Sequence, residues 1–395
     1  MSSMNSQSIS RRSLARGSVA GAVLVAAGSA ASRAAADSAR PEELDAGLDT
    51  DALQAAISDL SHPPATSAQL RAAHGTDHWY GTTGMADLTT GRAARPDDKF
   101  RAGSVTKAFV ATVVLQLWTE RRVELNAPIG RYLPGLLPSD FARITVTQLL
   151  NHTSGIPDHQ GIPDTSTPEA ALRHRFDRWT PHEWVRTVTH GPLKFRPGTK
   201  QEYRGINYVL LALLIEKLTG QRYGEAIGCR VLRPLGLKRT LLPGDDPRLH
   251  GPHVHGYLRM TDGSLRDATV YNPSSTWGEG ELVSTVDDLF SFQQALFSGD
   301  LLPPRAMDKL CTLPPAEVRM LKDGSPARYS MGLQTATVNG VTFWGKTGEM
   351  YGYRTRVFST LDLRLRFVLS YTPTPLTTDE DMINRVVAAL TSDNS

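Results

Sequence analysis

Cysteine is almost missing from this chain. Cys229 and Cys311 are the only two in 395 residues, so neither a disulfide framework nor a cysteine-rich zinc cluster can be built. The two thiols are expected to behave as small, partly buried side chains. No H-E-x-x-H motif is present. The close histidine pair, His253-Val254-His255, reads as a surface pair on one face of a strand, not as a metal site. A G-x-S-x-G elbow is also missing, which removes the usual signature of a Ser-His-Asp hydrolase. No internal repeat is visible, and neither a metal nor a cofactor is expected.

Acidic residues are missing from the first 36 positions, which carry Arg11, Arg12, Arg16 and Arg33. This stretch reads as an export leader. It has a basic start, an apolar run from Val19 to Ala27, and the small-residue pattern Ala34-Ala35-Ala36. Ser10-Arg11-Arg12-Ser13-Leu14 resembles the twin-arginine version, so a secreted chain starting near Asp37 is expected. The apolar run is too short for a confident membrane span. Without the leader, 39 basic residues face 40 acidic ones, a formal charge of −1. The positive balance belongs to the leader and gives no argument for a nucleic-acid partner.

With 40% apolar and 21% charged residues, a packed core is expected. A helix is predicted around residues 41–60, then a hairpin through the Gly-rich segment 76–100. An apolar helix follows from Val105 to about Glu120; it has almost no polar face and must be buried. From about 127 to 288 the chain is rich in Pro, Gly and His loops, with one clear helix at Tyr208–Leu218 stopped by Thr219-Gly220. The last third returns to strands, "YSMGLQTATV", "VTFWGKTG", "YRTRVFST" and "RLRFVLSYT", and closes on the amphipathic "DEDMINRVVAALTSD". This order predicts an α+β fold: residues 37–126 and 289–395 form a sheet domain flanked by helices, and 127–288 form a mostly helical insertion.

Two motifs carry chemistry. In "FRAGSVTKAFV", Gly103 makes a turn, Ser104 opens the buried helix, and Lys107 lies three residues later on the same face. A serine needs a base to become a nucleophile, and a lysine can serve if desolvation lowers its pKa. The free N–H groups of a buried helix start can hold an oxyanion. The bland alternative is a helix-capping serine with a solvated lysine. The second motif is Lys346-Thr347-Gly348 in "FWGKTGEMYGYRT", at a strand where Gly348 permits close backbone approach.

Together with "ITVTQLLNHTSGIPD", "NYVLLALLIEKLTG", "PLGLKRT" and "GEGELVSTVDDLFSFQQALFSG", the two motifs resemble the serine β-lactamase and penicillin-binding protein family. The likeness is to class C β-lactamases and secreted actinomycete D-alanyl-D-alanine carboxypeptidases. It implies a β-lactamase/transpeptidase-like fold and an exported, monomeric serine acyl hydrolase. Such an enzyme acts on a peptide, β-lactam or ester substrate and needs no cofactor. It further implies that Ser104 is acylated, that Lys107 exchanges its proton, and that Tyr203 is general base or relay. Lys346, Thr347 and Gly348 would lie beside the substrate, and the N–H groups of Ser104 and Glu349 would form the oxyanion hole. His152, in "NHTSG", is expected to be a packed loop residue.

Two positions depart from the family pattern. Gly205 stands where the Tyr-x-Asn triplet expects Asn, so a gap of about one side chain and looser acyl selection are expected. Gln334 lies in the region where the carboxypeptidases carry an arginine that grips a substrate carboxylate, so Lys346 is expected to take over that charge. The resemblance points first to a D-alanyl-D-alanine carboxypeptidase-like enzyme or a related peptidase or esterase, in a family that also includes D-amino-acid amidases; β-lactamase, acyltransferase and non-catalytic penicillin sensor are the alternatives.

Overall fold

The computed structural model describes residues 47–392; the leader and the cleavage pattern lie outside them. Seven strands form one antiparallel sheet, in the order 334–338, 341–350, 353–359, 365–373, 65–74, 77–87 and 92–93. The C-terminal strands therefore pair directly onto the N-terminal ones, with Leu70 opposite Leu369 in the central pair.

Strand periodicity divides the core. Leu365, Phe367, Leu369 and Tyr371 point to one face, together with Ala68, Leu70 and Ala72. On that face they meet helix α1 (Thr50–Ser58) and the C-terminal helix Asp381–Thr391, through Leu53, Ile57, Met382, Val386 and Leu390. The helix predicted over 41–60 is shorter than expected among the described residues. Asp49 caps it, accepting from the Ala52 N–H at 2.9 Å.

Val368 and Val357 point to the other face, into the larger core. That core is built on helix α2 (Thr106–Thr119), in which eleven of fourteen residues are buried. Helix Ile206–Thr219 packs near it and is equally apolar; Gly220, at φ 71°, ends it. Both helices start at the motif residues, so the core fixes where those residues sit.

The segment 127–288 is mostly short helices and loops, and its end returns to the sheet side: Leu282–Ser284 pairs with Phe100–Gly103, the strand that leads into Ser104. Cys229 and Cys311 are both free thiols. His253 and His255 stack at 4.8 Å, with His255 bonded to Asp267 at 2.7 Å. Among the described residues no cluster of metal-ligating side chains is found, and no helix is long and apolar enough to cross a membrane.

Candidate active site

Gly103 turns the chain into α2 at φ 57°. A Cβ there would lie 2.6 Å from the Glu349 backbone nitrogen, so only glycine allows this turn so close to the neighbouring strand. Gly348 faces the same junction; its Cβ would lie 1.9 Å from the Ala102 carbonyl oxygen. These two glycines bring Ser104 and the strand bearing Lys346-Thr347-Gly348 together. The Glu349 backbone nitrogen thus lies beside the serine turn, while its carboxylate is engaged by Arg356 at 3.5 Å and Arg354 at 4.0 Å.

Lys107 reaches back along the helix and donates to Ser104 Oγ at 3.1 Å and to the Glu279 carbonyl oxygen at 2.6 Å. It is buried, and desolvation pulls its pKa down to about 8 against the opposing pull of the Glu279 carboxylate. Two amines approach the Tyr203 ring, with Lys107 Nζ 5.0 Å and Lys346 Nζ 4.7 Å from its centre. Its buried hydroxyl has no hydrogen-bond partner among the described residues. Burial raises the phenol well above its ordinary pKa, although the nearby Ser104 hydroxyl lowers it. At neutral pH Tyr203 is protonated and able to donate or relay a proton, while the neutral fraction of Lys107, able to accept one, grows as the pH rises through about 8.

Ser104, Lys107, Tyr203, Lys346, Thr347, Gly348 and the Glu349 backbone thus share one site. His152 is in its wall, at φ 60°, accepting from the Arg204 N–H at 3.1 Å and stacking 4.4 Å from the Tyr203 ring. Burial, with Lys107 and Lys346 nearby, holds it well below the ordinary histidine pKa. It is a neutral support for the tyrosine loop. Arg204 turns away to Asp158 and the Pro157 carbonyl.

Two expectations need correction. Lys346 is not placed as a charged grip. Its Nζ donates to Gln334 Oε1 at 3.2 Å and to the Thr347 carbonyl at 3.1 Å, and Thr347 Oγ1 donates to the same Gln334 oxygen at 3.1 Å. Burial first, then the neighbouring Lys107, drives its pKa well below the usual value, which weakens it as a fixed cation.

Gly205 leaves no gap either. A Cβ on it would lie 1.3 Å from Glu279 Oε2, because the Glu279 carboxylate fills the vacated space. Its Oε2 is 3.7 Å from Lys107 Nζ, and its Oε1 accepts from Trp184 Nε1 at 3.3 Å. Reading the motifs along the chain missed Glu279 because it lies 74 positions beyond Gly205. The available signal was an acid in the loop "TWGEGELVS", with nothing to tie it to the triplet.

A cleft of ≈600 Å³ opens from this point. Tyr203, Gly205 and Glu279 form its inner end, and Trp179, Trp184, Tyr271 and Tyr351 are among its walls. Ser104 and Lys346 do not line it.

The family model described as Beta-lactamase matches residues 64–392. This chain belongs to the beta-lactamase family. A D-stereospecific amidohydrolase from Streptomyces sp. superposes with a TM-score of 0.77 at 32% identity, covering 88% of this chain and 100% of that one. Unguisins hydrolase of Aspergillus campestris is 27% identical over 320 residues, 76% of this chain and 56% of the relative. Penicillin-binding protein 4* of Bacillus subtilis is 26% identical over 327 residues, 79% and 69%. The chain therefore spans little more than half the length of the first of these curated relatives.

Proposed function

We propose that this family member is an exported serine amidohydrolase that cleaves short amides or esters of D-amino acids through an acyl-enzyme on Ser104. The observation that carries the reading is the 3.1 Å contact between Ser104 Oγ and a buried Lys107 whose pKa is lowered to about 8. Neutral Lys107 takes the hydroxyl proton as Oγ bonds to the substrate carbonyl carbon. The carbonyl oxygen gains the electron pair and faces the N–H groups of Ser104 and Glu349. The oxyanion collapses, the bond to the leaving group breaks, and that group takes the proton through Lys107 or Tyr203. Water then repeats the sequence on the ester and frees Ser104.

The D-aminoacyl part of the reading is supported by likeness to the Streptomyces amidohydrolase over 88% of the chain and by the cleft beside Glu279. Export rests on the leader pattern alone and is tested by sequencing the N-terminus of secreted protein, expected near Asp37. For the reaction, a fluorophosphonate probe followed by intact-mass measurement should give one adduct on Ser104, and wild type should release ammonia from D-phenylalanine amide faster than from its L-isomer. An adduct elsewhere, or turnover that survives Ser104→Ala, would remove the acyl-enzyme.

A D-alanyl-D-alanine carboxypeptidase is the second reading, favoured by the likeness to penicillin-binding protein 4*. It needs a cation for the terminal carboxylate, and the surroundings of Lys346 do not favour one.

A further inference from the structure

The Glu279 carboxylate is unusual in its position. It occupies the space left by Gly205 at the inner end of the cleft, next to the proposed nucleophile. An amide at that place would offer both a donor and an acceptor, whereas a carboxylate offers acceptors only and carries a charge. The change in chemistry selects a different substrate group. A carbonyl oxygen on the acyl side would be repelled, and a cation would be held.

Its present partners leave capacity. Oε1 accepts one long hydrogen bond from Trp184 and Oε2 faces Lys107 at 3.7 Å, while a carboxylate has about four acceptor positions. The other carboxylates at the cleft have closer partners. Asp158 takes Arg204 and, at 2.9 Å, Lys194; Asp164 accepts from the Ser166 N–H at 2.9 Å and hydroxyl at 3.0 Å; and Asp177 takes His174 at 2.8 Å. The cleft cations are likewise committed: Arg204 to Asp158, and Arg175 to the Leu172 carbonyl at 2.9 Å and the Phe176 ring. Trp179 and Trp184 meet edge to face at 5.2 Å beside Glu279, and aromatic faces attract a cation as well as an apolar side chain.

We propose that Glu279 anchors the substrate on its acyl side: the carboxylate binds the free ammonium group of an aminoacyl substrate, and the aromatic cleft takes its side chain. This rests on the acyl-enzyme reading above and adds the requirement for a free amine. It also gives a reason for the glycine, since any side chain at 205 would expel the anchor. Glu279 thereby acts as a specificity-determining residue through direct contact with substrate.

The test compares kcat/KM for D-phenylalanine p-nitroanilide and its N-acetyl derivative. Both substrates meet the same Ser104 and Lys107, so an effect of a substitution on the lysine divides out of the ratio. Wild type should prefer the free amine by about 10-fold or more, and Glu279→Gln should reduce that ratio by about 10- to 100-fold, the range for a lost hydrogen bond to a charged group. The loss should fall mainly on KM of the free amine. Glu279→Asp keeps the charge but draws it back by one methylene, and should retain part of the preference. Should Glu279→Gln fail to fold, wild type and Glu279→Asp still decide the matter: equal use of acetylated and free substrate by wild type overturns the anchor. A Ser104 adduct with the same ratio in wild type and Glu279→Gln also overturns the anchor alone. No Ser104 adduct and no turnover of either substrate would overturn the acyl-enzyme reading.

Discussion

The two sides of Ser104 are built differently. On the strand side, Lys346, Thr347 and Gln334 satisfy one another in a compact set of hydrogen bonds, and the lysine is buried. On the cleft side, a glycine stands opposite a carboxylate with spare acceptors, and a ≈600 Å³ space adjoins it. The strand side keeps the family motif but surrounds its lysine with burial and a neighbouring amine that lower its pKa. The cleft side loses the motif's amide and gains a charge from another loop. A motif position therefore does not by itself report the chemistry at the corresponding point in space.

The largest expected effect removes what the two sides share. Lys107→Ala deletes the base, and general-base loss costs about 10²–10⁴-fold. Stopped-flow acylation by a chromogenic ester should show that loss while the circular dichroism spectrum stays unchanged. A variant within a few-fold of wild type would make Lys107 a structural residue and leave both sides without a proton acceptor.

The second effect concerns the exchange between positions 205 and 279. Gly205→Asn forces a side chain into the Glu279 carboxylate, whose Oε2 would lie 1.3 Å from the new Cβ. Overpacking of this kind costs about 1–3 kcal/mol, read as a lower Tm together with weaker aminoacyl turnover. Glu279→Ala in the same chain should relieve the clash and restore most of the Tm. That pair of substitutions should also shift preference toward N-acylated substrates, because an amide now replaces the carboxylate. Additive effects of the two substitutions would mean that the residues do not compete for space.

Much of the frame was legible in the sequence, for identifiable reasons. Buried helices such as Thr106–Thr119 announce themselves by lacking a polar face, and the strands at 341–373 by alternation and β-branched or aromatic residues. The central strand Ala65–His74 carries no such signal. Its "ATSAQLRAAH" is rich in alanine, and its strand state comes from pairing on both sides, with 77–87 and 365–373. The serine, lysine, tyrosine and Lys346-Thr347-Gly348 strand were nameable because short motifs fix them. Glu279 was not, since its role depends on space at a residue far away in the chain. The states of Lys346 and His152 were also hidden, because burial and neighbouring charge are properties of the fold.

A third, smaller effect lies in pH. Lys107 must be neutral to accept the Ser104 proton, so kcat/KM should rise with pH along an acid limb set by its pKa of about 8. The Glu279 carboxylate opposes the downward shift by favouring the ammonium. Glu279→Gln removes that negative charge, so the limb should move to lower pH on an N-acetylated substrate, which does not need the anchor. Movement to higher pH would place the carboxylate's influence elsewhere.

The smallest effect is expected on the strand side. If Lys346 is neutral in the resting site, Lys346→Met removes hydrogen bonds to Gln334 and the Thr347 carbonyl but no charge, and the methionine stem can occupy much of the same buried volume. Turnover of D-phenylalanine p-nitroanilide should then fall by only a few-fold, in line with the loss of ordinary hydrogen bonds of about 1 kcal/mol. The informative comparison uses a D-Ala-D-Ala peptide with a free carboxylate and the same peptide as its amide. A charged grip would make the variant lose the carboxylate substrate at least about 10-fold more than the amide, as expected for a broken charge-assisted contact. A neutral Lys346 loses both to the same degree. Selective loss of the carboxylate substrate would mean that an arriving anion recharges the lysine, and the strand side would then be as selective as the cleft side.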